Sequence, residues 1–286
     1  MLRVLAAGLL AALLVPAAQA SGPSPIPSMH ELQQGPGGGT VWQGTIPFRG
    51  LPGFRRPTVV YLPPDYSTTA RYPVVFLLHG FRGSPYSFTG SVGLPAYADA
   101  AIAHAQLPPF VAVMPPAGPN SKYDGEWAGI WEDYLVQAVV PWARSHLSLL
   151  HTMGSTSVAG LSAGGFGAVD MTLRHPGLFG TAESWSGYFT APNDGPLKGA
   201  DPAEREAHDP SRLVEREARL LRLMHIRFFR SAGTDDREGV RDAKAFASEL
   251  RGLDLPYRLV VTGGRHNGRF WRSQLPAALR YALVRS

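Results

Sequence analysis

The chain has 286 residues, of which 44% are hydrophobic, and this is enough for one large globular domain. It has no cysteine, which excludes disulfides and thiol chemistry. The formal charge is only +5 and the basic residues are scattered along the chain. A nucleic-acid partner is therefore not predicted.

The N-terminus has the pattern of an export signal. Arg3 precedes an apolar run over residues 4–15, and Ala18 and Ala20 supply an A-x-A end. The run is short for a membrane-spanning helix. We therefore predict a cleaved signal peptide over residues 1–20, no stable membrane insertion afterwards, and a secreted, periplasmic or cell-envelope location. An uncleaved anchor is the alternative.

Residues 21–40 are rich in proline, glycine and serine and are expected to form a flexible leader. No second linker follows, so residues 41–286 are predicted to be a single catalytic domain. Short apolar runs then alternate with helical patterns, which is typical of a doubly wound α/β sheet. The prediction is a mainly parallel, eight-stranded sheet flanked by helices. Its strands are expected at residues 41–46, 57–62, 74–78, 110–114, 156–161, 181–185, 226–231 and 257–262.

A glycine-rich turn at the end of the fifth predicted strand has the spacing of a nucleophile elbow. Gly160, Ser162 and Gly164 spell G-x-S-x-G, with a strand before and a helix after. The serine must sit on a tight turn to present its hydroxyl, and only glycine fits two residues to either side. Ser162 is therefore the candidate nucleophile.

A serine nucleophile needs a base and an acid that orients the base. His266, flanked by glycines, follows the last predicted strand and is the candidate base. Asp235 and Asp236 follow the penultimate strand. Either carboxylate can reach the histidine from this loop, and the other then caps the next helix. Asp236 is the preferred acid and Asp235 the alternative.

The loop after the third predicted strand is expected to stabilise a developing oxyanion. We assign the backbone N–H groups of Phe81 and Ala163 to that role and expect His79 to be structural. There is no H-E-x-x-H motif and no dense histidine and carboxylate cluster in the sequence. No metal and no cofactor are therefore predicted.

From about residue 41 to the C-terminus the chain resembles the esterase D-like group of α/β-hydrolases. This group includes S-formylglutathione hydrolases, feruloyl esterases, enterochelin esterases and secreted mycolyltransferases. The resemblance is carried by residues 62–66, 78–82, 160–164, 233–236 and 264–266.

The resemblance implies roles for particular residues. In feruloyl esterase-like members the acid lies three residues after the matching glycine, which favours Asp236. Phe81 and Arg82 fall where mycolyltransferases carry an oxyanion amide and an arginine that contacts substrate. The chain differs from that branch in having His79 before Gly80, and in having an aspartate as the preferred acid.

These patterns lead to a prediction of a serine carboxylic-ester hydrolase that forms a covalent acyl-enzyme. The substrate is expected to be a small-molecule, lipid or sugar ester, and no oligomeric state is predicted. One alternative is an acyltransferase of the mycolyltransferase type, in which Arg82 and the loop containing Trp127 would seat an acceptor alcohol. A second alternative is an inactive binding protein on a hydrolase scaffold.

Overall fold

The computed structural model describes residues 25–120, 122–123 and 125–284. The predicted signal peptide, residues 1–20, lies outside the described residues. Among the helices in the described part of the chain, none has the length and apolar character needed to cross a membrane.

A nine-stranded mixed sheet forms the centre of the described structure, in the strand order 1-2-3-5-4-6-7-8-9. The first four strands in this order pair antiparallel, and all the later neighbours pair parallel. The strands are β1 His30–Gln34, β2 Thr40–Gly44, β3 Thr58–Leu62, β4 Val74–Leu78, β5 Val111–Met114, β6 Thr156–Leu161, β7 Thr181–Trp185, β8 Arg227–Gly233 and β9 Tyr257–Thr262.

Helices follow most of the parallel strands, as the alternating pattern predicted. They are α1 Tyr86–Thr89, α2 Leu94–Ala103, α3 Ile130–Asp133, α4 Val140–His146, α5 Ala163–Arg174, α6 Pro202–Ala207, α7 Pro210–Leu223, α8 Arg237–Gly252 and α9 Gly268–Leu283. A π-helical segment, Tyr134–Val139, joins α3 to α4. Two short 3₁₀ helices, Met153–Ser155 and Gly195–Leu197, complete the helical elements of the described residues.

The sheet is covered on both faces, which explains the unbroken apolar run of β4. Val74, Phe76 and Leu78 belong to a core shared with α4, α5, α7 and α8. Val75 and Leu77 point the other way, into a core shared with α2 and α9. Because successive strand residues face opposite sides, a strand buried on both faces must be apolar throughout.

The sheet has one strand more than the eight predicted, because a strand forms within residues 21–40, where a flexible leader was expected. Strand β1 lies inside that leader and pairs antiparallel with β2 at the edge of the sheet. All five of its side chains are exposed, so its sequence carries no apolar alternation. Backbone pairing holds this strand, and the buried side chains of Ile26 and Met29 attach the preceding segment to the core.

Candidate active site

Ser162 occupies a strained turn between β6 and α5. Its backbone has φ 54° and ψ −117°, a conformation that residues other than glycine rarely adopt. A Cβ on Gly160 would overlap the carbonyl oxygen of Gly164, and a Cβ on Gly164 would overlap that of Leu78. The G-x-S-x-G spacing is therefore a steric requirement of this turn.

The described structure brings His266 to Asp236 and not to Asp235. Nδ1 of His266 lies 2.8 Å from a carboxylate oxygen of Asp236. The other oxygen of Asp236 accepts a hydrogen bond from the N–H of Gly239 at 3.2 Å, so the same side chain caps α8. The Asp235 carboxylate instead lies 3.6 Å from Nε of Arg265, and both side chains are largely in solvent.

This contact fixes the form of the imidazole. An ionised carboxylate can only accept hydrogen bonds, so Nδ1 of His266 must carry the proton. In the neutral ring Nε2 is then left as the acceptor, which is the atom that a general base needs.

A tryptophan and a serine that the sequence interpretation missed lie beside His266. The Trp271 ring packs edge-on against the His266 imidazole, with 5.3 Å between ring centroids. Its indole N–H donates to the hydroxyl of Ser186 at 3.2 Å. Ser186 follows β7 and has a positive φ of 58°. No motif marks these two residues, because they meet only through the packing of α9 on the sheet.

The strand ends place Ser162 and the Asp–His pair at the same edge of the sheet. The N–H of Ser162 donates to the carbonyl of Trp185 at the end of β7, and the N–H of Ser186 donates to that of Ser231 in β8. Among the described residues the Ser162 hydroxyl makes no hydrogen bond. Hydrogen bonds between a nucleophile and its base often form only when substrate is bound.

The loop of residues 79–83 lies directly over the serine. A Cβ on Gly80 would come within 2.8 Å of the Leu161 carbonyl oxygen and 3.0 Å of Ser162 Cβ. A hydrogen bond of 2.9 Å from the N–H of Gly83 to the carbonyl of Gly80 closes the turn. The backbone of Phe81, the predicted oxyanion donor, is therefore next to the candidate nucleophile Ser162.

The side chains of Phe81 and Arg82 point away from the core. The Phe81 ring is 47% exposed, and the Arg82 guanidinium lies 5.4 Å from its centroid. Arg82 itself is exposed and has a φ of 59°. This position leaves Arg82 accessible to a bound molecule.

His79 is structural, as predicted, and it anchors the 79–83 loop. Its Nδ1 lies 2.9 Å from the Gly80 carbonyl, and its Nε2 accepts the N–H of Ala117 at 3.1 Å. Burial lowers the pKa of His79 to about 4, so the ring is neutral at physiological pH. A neutral imidazole therefore ties this loop to the segment that follows β5.

Trp127, predicted to contact substrate together with Arg82, has a buried side chain. Its side chain is 1% exposed, packs against Gly167, and donates its indole N–H to the His79 carbonyl at 2.8 Å. The acyltransferase alternative thereby loses one of the residues expected to seat an acceptor. The aromatic character of Trp127 serves packing beneath the 79–83 loop.

One buried cluster in the described residues has the composition of a metal site. Ligand atoms of Glu132, Asp170 and His208 lie within 4.8 Å of one another. However, Glu132 already accepts from Arg174 at 2.9 Å and contacts His175 at 2.6 Å, while Asp170 pairs with His208 at 2.7 Å. Burial alone would raise the pKa of Glu132, but the hydrogen bonds from His175 and Arg174 outweigh it and lower that pKa. Each of the three side chains thus already has a polar partner.

The sheet and its flanking helices form the α/β-hydrolase fold that the sequence predicted. The elbow joins a central parallel strand to its helix, and the histidine follows the last strand.

The chain belongs to the Esterase family, described as "Putative esterase", whose model matches residues 52–282. An esterase of Mycobacterium tuberculosis is 31% identical over 140 residues, which are 45% of this chain and 28% of that protein. An endo-1,4-beta-xylanase/feruloyl esterase of Xylanibacter ruminicola is 31% identical over 132 residues, 42% of this chain and 18% of that one. The chain thus spans less than a third of these curated relatives.

Solved structures support the fold over nearly the whole chain. A ferulic acid esterase superposes with a TM-score of 0.76 at 22% identity, covering 86% of this chain and 98% of the other. An S-formylglutathione hydrolase from Agrobacterium tumefaciens superposes with a TM-score of 0.68 at 19% identity, covering 89% and 98%. At such identities the comparison establishes the α/β-hydrolase fold alone.

Proposed function

We propose that this protein is a serine carboxylic-ester hydrolase. The observation that carries the proposal is the position of Ser162 on a strained elbow beneath Gly80 and Phe81, at the sheet edge where Asp236 holds His266. Membership of an esterase family and the two curated relatives support the reaction class.

In the proposed reaction, Oγ of Ser162 attacks the ester carbonyl while Nε2 of His266 takes the hydroxyl proton. The tetrahedral intermediate collapses, the C–O bond to the alcohol breaks, and His266 returns the proton to the leaving alkoxide. Water, deprotonated by the same imidazole, then attacks the acyl carbonyl. The bond from the acyl carbon to Oγ of Ser162 breaks, His266 returns the proton to Oγ, and the free acid leaves. Asp236 keeps the imidazole in the tautomer that these transfers require and stabilises the imidazolium that forms.

Two backbone donors are proposed for the oxyanion. Ala163 is the first residue of α5, where an N–H has no acceptor within its own helix. The N–H of Phe81 belongs to the loop that covers Ser162. Together they would hold the negative oxygen near a helix N-terminus, and one such donor typically contributes about 2.7–4 kcal/mol to transition-state stabilisation.

The proposed substrate is a small-molecule ester, and the proposed place of action is outside the cytoplasm. The second statement depends on the signal-like residues 1–20. Detection of the mature N-terminus by Edman sequencing of exported protein would test it, with cleavage after Ala20 expected.

The hydrolase proposal is tested by comparing wild type with Ser162→Ala on p-nitrophenyl esters of short to long acyl chains. We expect kcat/KM to fall by at least roughly a thousandfold. Ser155→Ala, a change just before the amino end of the same strand, is the matched control and should retain wild-type rates. A fluorophosphonate probe should label wild type and the control but not Ser162→Ala. Equal turnover by all three proteins would refute the proposal.

A further inference from the structure

Within the part of the chain that the structure describes, Arg56 is a half-buried cation whose hydrogen bonds all go to backbone carbonyls. Its Nη1 donates to the carbonyls of Ala117 and Gly118, each at 2.8 Å. No carboxylate of the described residues lies within ion-pair distance of its guanidinium. Burial lowers the pKa of Arg56, but an arginine starts so high that it stays charged at physiological pH. The guanidinium thus carries a positive charge without a counter-ion in the described structure.

Arg56 lies close to the catalytic loop. Ala117, which accepts from Arg56 through its carbonyl, donates its N–H to Nε2 of His79 at 3.1 Å. His79 is followed by Gly80, which packs on Ser162. The charge of Arg56 also lowers the pKa of His79, after the larger effect of burial. Only two hydrogen bonds therefore separate the guanidinium from the loop that covers the nucleophile.

Arg56 also lines an open groove of about 810 Å³. We call it the apolar groove. Its walls are mainly aromatic, aliphatic and proline side chains, among them Leu51, Phe54, Pro119, Tyr123, Ile130 and Trp131. Among the described residues that line it, Arg55 and Arg56 are the charged ones. The surface is therefore suited to an apolar body that also carries a negative charge.

The guanidinium retains the donors that a carboxylate would need. Both carbonyl contacts of Arg56 use Nη1, and its Nε and Nη2 make no hydrogen bond among the described residues. A guanidinium edge formed by Nε and Nη2 matches the two oxygens of a carboxylate. Arg82, by contrast, is exposed on the outer side of the 79–83 loop, where solvent screens its charge.

We propose that Arg56 binds a free carboxylate of the ester substrate while the adjoining apolar part of that substrate occupies the apolar groove. The substrate class is thus an ester that bears a second, ionised carboxyl group. This inference rests on the proposed hydrolase function and specifies its substrate. Arg56 is a specificity-determining residue in this view and takes no part in proton transfer.

The test compares matched ester pairs that differ in one negative charge. For a charge on the acyl side, the pair is mono-p-nitrophenyl glutarate and p-nitrophenyl pentanoate. For a charge on the alcohol side, it is the butyrate ester of 4-hydroxybenzoate and that of methyl 4-hydroxybenzoate. The readout is the ratio of kcat/KM for the anionic ester to that for the neutral ester, which cancels general damage to the fold.

We expect wild type to favour the anionic member of at least one pair, and Arg56→Met to lower that ratio roughly tenfold or more. Arg56→Lys keeps the positive charge but lacks the paired N–H donors of a guanidinium. It should therefore retain part of the preference for the anionic ester. Arg71→Met is the matched control. Nη1 of Arg71 also donates to two carbonyls, those of Thr68 and Ala70, but Arg71 lies just before the amino end of β4, away from the site.

Two results would overturn the inference. One is the absence of any anionic preference in wild type for both pairs. The other is a parallel loss of anionic and neutral turnover in Arg56→Met, which would make Arg56 a structural tie for Ala117 and Gly118. Failure of the hydrolase proposal is distinguishable, because wild type would then turn over none of the four esters and would not react with the fluorophosphonate probe.

Discussion

Replacement of Gly80 by alanine tests whether the 79–83 loop supplies an oxyanion donor. The new Cβ would lie 2.8 Å from the Leu161 carbonyl oxygen and 3.0 Å from Ser162 Cβ, so the loop must move by about half an ångström to restore van der Waals contact. Gly80 does not have a positive φ, so the backbone angles themselves allow alanine. The displacement would move the N–H of Phe81 away from the position that it needs.

Complete loss of one oxyanion donor costs about 2.7–4 kcal/mol, or roughly 100- to 1000-fold in kcat. Because Gly80→Ala displaces the donor rather than removing it, we expect a fall of roughly 10- to 100-fold in kcat for p-nitrophenyl butyrate, with a smaller change in KM. Gly252→Ala is the matched control, since nothing lies within 4 Å of its new Cβ. An unchanged kcat in Gly80→Ala would refute the assignment of the Phe81 N–H to the oxyanion.

Three further predictions concern charge. Burial lowers the pKa of His79 from 6.5 to about 4, so the unfolded chain takes up this proton first as pH falls. Between pH 7 and pH 4 the free energy of unfolding of wild type should therefore fall by about 3 kcal/mol more than that of His79→Gln. Urea unfolding at each pH measures both values, and an equal fall in the two proteins would contradict the prediction. Burial also raises the pKa of Glu183 well above its usual value. Its contribution to the free energy of unfolding is then complete below about pH 4.5 and decreases as pH rises. The free energy of unfolding of Glu183→Gln should therefore increase relative to that of wild type by up to about 1.4 kcal/mol per pH unit above about pH 4.5. A difference between the two proteins that does not change with pH would mean that Glu183 is ionised. Asp236→Asn keeps an oxygen that caps α8 but loses control of the His266 tautomer, so kcat should drop by roughly 10⁴ with little change in unfolding free energy. Asp235→Asn is its control, and a greater loss of kcat in that variant would reverse the choice of acid.

Local sequence determined the parts of this protein that steric rules fix within a few residues. The glycines around Ser162 are required by a turn in which any side chain would overlap a neighbouring carbonyl. The apolar run of β4 follows from burial on both faces of the sheet. Chain order alone placed His266 after the last strand. Each of these features is visible in a short window because its cause is local.

Tertiary structure decided the features that depend on which distant groups meet. Asp235 and Asp236 are adjacent in sequence, and only the packing of α8 against the last two strands turns one carboxylate to His266 and the other to Arg265. Strand β1 has no apolar pattern because it is held in the sheet by backbone hydrogen bonds to β2 and not by buried side chains.

The same holds for the side chains around the 79–83 loop. The sequence alone did not indicate that the Trp127 indole is buried against the carbonyl of His79, 48 residues earlier in the chain. No sequence motif marks Arg56, whose charge is held near the 79–83 loop by hydrogen bonds that span 61 and 62 residues. Contacts over such separations are set by the assembled sheet, because the burial and desolvation that give them meaning do not exist in the isolated sequence.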